Sequence, residues 1–208
     1  MYENILLPYD GSEGAAEVLH HAGELAHWAD ATVQVLYVAD TARDSVTVVE
    51  GHTVDALVQR GEDVVAEAAK TLDTLAVSHD TDVVQGNPAP TIVEYAERYD
   101  QDLVVMPTHG REGVSRYLVG SVAEKVVRLS SVPVLTVRMQ PDETLTFPYE
   151  NLLVPTDGSS AATHAAGHLL ELAAALDATV HVLSVVDDAA LGPDVRSAVS
   201  GEESEAAA

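Results

Sequence analysis

The sequence predicts an α/β protein: a five-stranded, doubly wound parallel sheet, followed by an incomplete β-α-β repeat. Three observations predict it. Apolar runs of strand length alternate with longer stretches whose apolar residues recur three and four apart, giving β-α-β-α-β-α-β-α-β up to Arg138. The strands are apolar almost throughout, as expected where helices cover both faces of a parallel sheet. The opening segment, Tyr2 to Asp40, then recurs without gaps as Tyr149 to Asp187, with about half its positions identical.

Taken in order, Asn4 to Tyr9 (NILLPY) is the first strand, and the turn signal Asp10-Gly11-Ser12 stops it. Ser12 is placed to cap a helix that runs to Trp28. Ala31 to Val38 is the second strand, followed by a polar, irregular stretch to Gly51. A long helix is expected from Val54 to about Ser78, with Gly61 inside it as a mark against. Thr81 to Gly86 reads as the third strand. Pro88 and Pro90 suit the first turn of a helix ending at Tyr99. Asp102 to Thr108 is the fourth strand, a glycine-bearing loop follows, and a helix is expected from about Val119 to Ser130. Val132 to Arg138 is the fifth strand. The domain plan is one complete module over 1–138, a linker over 139–148, a partial second module over 149–188 and an acidic tail over 189–208 that is expected to be disordered. The partial module lacks the rest of its sheet, so it is expected to expose apolar surface and to pack loosely.

Composition narrows the function. Cysteine is absent, which removes disulfides, thiolate metal sites and thiol catalysis together. No two histidines have metal-ligand spacing, and no catalytic or metal-binding residue is assigned. With 34 acidic against 10 basic residues and a net charge of −24, the surface repels phosphate sheaths, so nucleic acid and anionic membranes are poor partners. No apolar run approaches the roughly 20 residues of a membrane span, and the N-terminus has no signal-peptide pattern, so a cytoplasmic location is expected. The acid-rich, lysine-poor balance resembles that of proteins from salt-accumulating archaea. Molar salt shortens the Debye length to about 3 Å and removes the self-repulsion.

In an open parallel sheet, ligands bind beyond the carboxyl ends of the strands where the strand order reverses. Two loops qualify. Pro8-Tyr9-Asp10-Gly11-Ser12 by itself reads as a turn and helix cap. The other runs from Met106-Pro107 through Gly110 and Arg111 to Gly120-Ser121-Val122 at a helix start. Unpaired amides and a partial positive charge at a helix N-terminus suit a phosphate, and glycine allows close approach. Arg111 and Arg116, with His109 beside them, concentrate scarce positive charge there. The plain alternative is that these arginines only balance neighbouring acids.

P-x-D-G-S after the first strand, joined to M-x-T-H-G, nine residues and G-S-V, resembles the universal stress protein family. The likeness covers Met1 to Arg138, and Tyr149 to Asp188 resembles the opening third of the same module. It implies a Rossmann-like fold of the adenine nucleotide alpha hydrolase type and membership of the ATP-binding branch, whose motif is G-x2-G-x9-G-[S/T]. Gly110, Gly120, Ser121 and Val122 would then hold phosphates, and Pro8, Asp10 and Val38 would frame adenine and ribose. Tyr9, Met106, Pro107 and Arg111 complete the implied site. The first motif glycine is Pro107 here, which has no N–H to donate. The implied cofactor is ATP, with Mg²⁺ as its usual companion. The implied partner is a second copy, paired through the apolar fifth strand at Val134 to Val137. The resemblance points to a stress-response protein that is not an enzyme. The alternatives are a nucleotide-free interaction module and a weak ATP hydrolase, although no P-loop, pyrophosphatase or nucleotidyltransferase motif is present.

Overall fold

The computed structural model describes residues 2–40, 53–108, 120–137 and 146–185. The chain divides into two compact units, Met1–Phe147 and Pro148–Ala208. The described elements of the first are β1 (Asn4–Pro8), α1 (Glu13–Ala29), β2 (Thr32–Ala39), α2 (Thr53–Thr74), β3 (His79–Gln85), α3 (Pro88–Arg98), β4 (Leu103–Pro107), α4 (Ser121–Leu129) and β5 (Val134–Val137). All strand pairs are parallel, in the order β3-β2-β1-β4-β5. The five-stranded parallel α/β fold is the one the apolar alternation predicts. Strand order reverses between β1 and β4.

The central strands are apolar because both faces are covered. Ile5, Leu6 and Leu7 of β1 are fully buried, although successive side chains point to opposite faces. On one face Leu6, Leu36, Val104 and Met106 pack with Ala89, Ile92, Tyr95 and Ala96 of α3 and with Ala123 and Val126 of α4. On the other face α2 lies against Tyr37 and Val83. A Cβ built on Gly61 would stand 2.7 Å from Val83 Cγ1 and 2.8 Å from Tyr37 Cδ1. The glycine that weakens the helix in sequence is therefore the point where α2 meets the sheet.

The long helix ends earlier than its sequence pattern implies, at Thr74 rather than Ser78. Ala76 takes a left-handed φ of 53°, and the amides of Ala76 and Val77 turn back to the carbonyls of Asp73 and Leu72. β3 correspondingly begins at His79, two residues before the expected Thr81. It is an edge strand, and its His79, Asp80 and Asp82 place ionisable groups along that edge. β5, at the opposite edge, is wholly Val-Leu-Thr-Val. It starts two residues after the expected Val132, where the Ser130 hydroxyl accepts from Val132 N and donates to Val132 O in a local turn, and Arg138 at the expected end lies outside the described residues.

The second unit holds β6 (Asn151–Pro155), α5 (Ser160–Leu176) and β7 (Thr179–Leu183), with β6 and β7 parallel. The repeat extends to backbone detail. Ser12 and Ser159 both cap their helices, accepting from Ala15 N and Ala162 N. Asp30 and Asp177 both end them at left-handed φ values of 54° and 55°. Residues 139–145 of the expected linker and the whole expected tail, 189–208, lie outside the described residues.

Candidate functional site

Strand order reverses between β1 and β4, the place in an open parallel sheet beyond whose carboxyl ends ligands bind, and α4 starts beside the end of β4. Each local structure has a sequence cause. Pro8 ends β1, and Tyr9 N donates to Leu36 O at 2.9 Å. Asp10 Oδ1 accepts from Ser12 N at 3.0 Å, folding the Asp-Gly-Ser turn, while Gly11 sits at φ 74° with Val64 of α2 close above it. The Tyr9 side chain is buried. Its hydroxyl is held above the usual tyrosine pKa, first by burial and then by the nearby charges of Glu67 and Asp10.

On the neighbouring strand, Pro107 is the last residue of β4 and pairs with Val137. Thr108 is buried directly after it. Its N–H donates to Val137 O at 2.9 Å, and its carbonyl accepts from Gly120 N at 2.6 Å. The two residues that flank 109–119 are therefore tied to each other. Gly120 is the N-cap of α4 and offers no side chain to it, with φ −59° and ψ 148°. Any residue adopts that backbone, so conformation alone does not require glycine here; missing side-chain bulk is what it contributes.

The structure brings several predicted site residues together. Val38 at the end of β2 and Val122 in the first turn of α4 both pack against the cluster containing Met106. Pro8, Tyr9 and Asp10 lie at and just after the end of β1, and Pro107, Gly120 and Ser121 at the end of β4 and the start of α4. Gly110 and Arg111 lie outside the described residues, as do His109 and Arg116. One amide of the expected phosphate cradle is already engaged, because Gly120 donates its own N–H to Thr108. The following first-turn amides of Ser121, Val122 and Ala123 are those a helix leaves without intrahelical partners. Glu124 also lies in that turn and brings negative charge to the same end. Thr108 is the residue that sequence reasoning passed over. Its signal was a polar residue closing the apolar run LVVMP, but residue type alone does not show that its N–H and carbonyl bond to Val137 and Gly120.

Among the described residues, no group of three His, Asp or Glu side chains is arranged to hold a metal ion, and no helix is long and apolar enough to cross a membrane.

The model of the universal stress protein family matches residues 1–138 and 148–208. The chain belongs to this family. Among its relatives, universal stress protein MJ0531 of Methanocaldococcus jannaschii is 36% identical over 141 residues, covering 66% of this chain and 83% of that protein. The solved structure of MJ0577, from the same organism, superposes with a TM-score of 0.62 at 30% identity, covering 68% of this chain and 99% of that one. A universal stress protein from Archaeoglobus fulgidus shares the fold over 96% of this chain and 74% of its own, with a TM-score of 0.75 at 24% identity.

Proposed function

We propose that this universal stress protein binds an adenine nucleotide, ATP with Mg²⁺, beyond the carboxyl ends of β1 and β4, and acts in a stress response through nucleotide-dependent conformation and self-association rather than turnover. One observation carries the reading: α4 opens beside the point of strand reversal with a glycine N-cap, no capping side chain, and Val38, Met106 and Val122 gathered next to it. An apolar wall beside a helix N-terminus suits a ligand that is flat at one end and anionic at the other. Arg111 and Arg116 would supply the positive charge that a triphosphate needs in a chain of net −24. The reading extends to a homodimer paired along β5, to a cytoplasmic protein suited to molar salt, and to a second module that is a partial copy of the first.

A second reading, a nucleotide-free interaction module, is favoured by Pro107, which removes a main-chain donor where the motif has its first glycine. Equilibrium dialysis against labelled ATP in molar KCl separates the two. The parent chain is expected to retain nucleotide and Gly120→Val to lose it, because the Val side chain enters the approach path while the backbone remains allowed. No retention by the parent chain would sink the nucleotide reading and leave the interaction module. A single-turnover measurement on the same samples tests the absence of hydrolysis.

A further inference from the structure

Phe147 is the single phenylalanine of the chain and Trp28 the single tryptophan, and the two meet. Their ring centroids are 5.8 Å apart at an interplanar angle of 73°, and Phe147 stands 6.1 Å from the imidazole of His21 at 80°. Both contacts are edge-on, a favoured geometry for aromatic pairs. His21 and Trp28 are seven residues apart on α1, so they share one face of the helix and the phenyl ring bridges them. His21 is 2% exposed, with Val18 and Leu25 buried one turn away on either side. Phe147 ends the first unit and Pro148 begins the second, so the ring fastens the chain to α1 where it leaves the first unit.

Little in the surroundings of His21 would welcome a positive charge. On α1, Glu24 Oε2 lies 3.7 Å from His21 Nδ1, and Glu17, one turn earlier, is exposed. The strands on which α1 packs, β1, β2 and β4, carry no ionisable group apart from the Tyr37 phenol. α2 meets α1 at Gly23 through Leu72, and its Asp73 lies 3.9 Å from His79 Nε2. Thr146, Phe147 and Pro148 are uncharged. Protonation adds a charge and a second N–H donor to His21 at a position almost closed to water. Burial accordingly outweighs Glu24 and holds the His21 pKa below its ordinary 6.5. A ring that helps to exclude the charged form must be loosened by that charge to the same degree. We propose that Phe147 is a proton-released clasp: it holds the end of the first unit on α1 while His21 is neutral and lets go when His21 takes up a proton. The device makes the attachment of the segment that leads into the second unit respond to mild acidification.

The test uses the full chain in molar KCl. The sequence has no cysteine, so Thr146→Cys, at an exposed position, takes a single nitroxide label beside the ring. From about pH 8 to about pH 5 the label should gain a mobile component while far-UV circular dichroism stays constant. In the His21→Gln background it should stay immobile throughout, and in Phe147→Ala it should be mobile already at the upper pH. Reciprocity supplies a second readout. Proton NMR identifies His21 by the resonance missing from His21→Gln, and its titration midpoint should rise toward 6.5 in Phe147→Ala. Each unit of that rise corresponds to about a tenfold weakening of the docked ring by the proton. The proposal is overturned if the midpoint stays or falls, a fall meaning that the ring favours the imidazolium. It is equally overturned if label mobility ignores pH, or changes as much in His21→Gln. Loss of dichroism over the same range also overturns it, because the first unit would then be melting. The His21→Gln comparison decides the matter even where Phe147→Ala folds poorly.

Discussion

Replacing Gly61 with alanine sets helix propensity directly against packing. Alanine is favoured over glycine in a helix interior by about 1 kcal/mol, so a helix considered alone would gain. The structure reverses the sign. The new Cβ would meet Val83 Cγ1 at 2.7 Å and the Tyr37 ring at 2.8 and 3.2 Å, well inside contact distance. Neither neighbour yields cheaply: valine is branched at Cβ and stiff at χ1, and the Tyr37 ring is buried. Overpacking of this kind costs about 1 to 3 kcal/mol, so the net effect is a loss of up to about 2 kcal/mol. For a domain of this size that moves a urea midpoint down by about 1 M. Gly23 is the internal control. A Cβ there meets the terminal Leu75 Cδ1 at 2.8 Å, a flexible methyl that can rotate away, and nothing else closer than 3.5 Å. Gly23→Ala should therefore be neutral or stabilising. Urea unfolding in molar KCl, followed by the single tryptophan, Trp28, reports on the first unit. A Gly61→Ala midpoint at or above the parent's would refute the packing argument.

Two further predictions rest on single side chains. His21 is buried, and burial holds its pKa below 6.5 against the opposing pull of Glu24, 3.7 Å away. The unfolded chain therefore takes up the proton first. Stability is full above about pH 6.5, falls as pH drops below it, and levels off under the lowered native pKa. Denaturation midpoints across that window should show the fall, and His21→Gln should flatten it. The Asp102 carboxylate accepts from both Glu3 N, at 2.8 Å, and Asn4 N, at 2.9 Å, tying the start of β1 to β4. Asp102→Ala should cost about 1 to 3 kcal/mol by urea titration, and Asp102→Asn, which keeps an acceptor, distinctly less.

The parts of the fold that were legible are those where burial dictates residue type. β1, β2 and β4 announce themselves because a strand covered on both faces tolerates little but aliphatic side chains. β3 was misplaced at its start because an edge strand carries the polar His-Asp-Thr-Asp, which reads as loop. The end of α2 was missed because the left-handed position is filled by Ala76, where the usual signal is glycine. Gly61 looked like a defect, since sequence shows the cost of a missing side chain but not the strand pressed against the gap. At the candidate site, the strand ends and the Gly120-Ser121 helix start were visible as residue types. The Thr108 to Gly120 tie was not, because a main-chain hydrogen bond leaves no imprint on side-chain identity. It also takes up an amide that the glycine pattern alone would have offered to a ligand.

The two borders of the five-stranded sheet have opposite characters, and this sets which of them suits strand-to-strand joining. Carboxylates along β3 act as a terminator, whereas β5 presents only aliphatic and hydroxyl groups. Within this sheet the described strands leave one border free of carboxylates, so edge-to-edge joining of two such sheets would use β5 on each and stop at a pair.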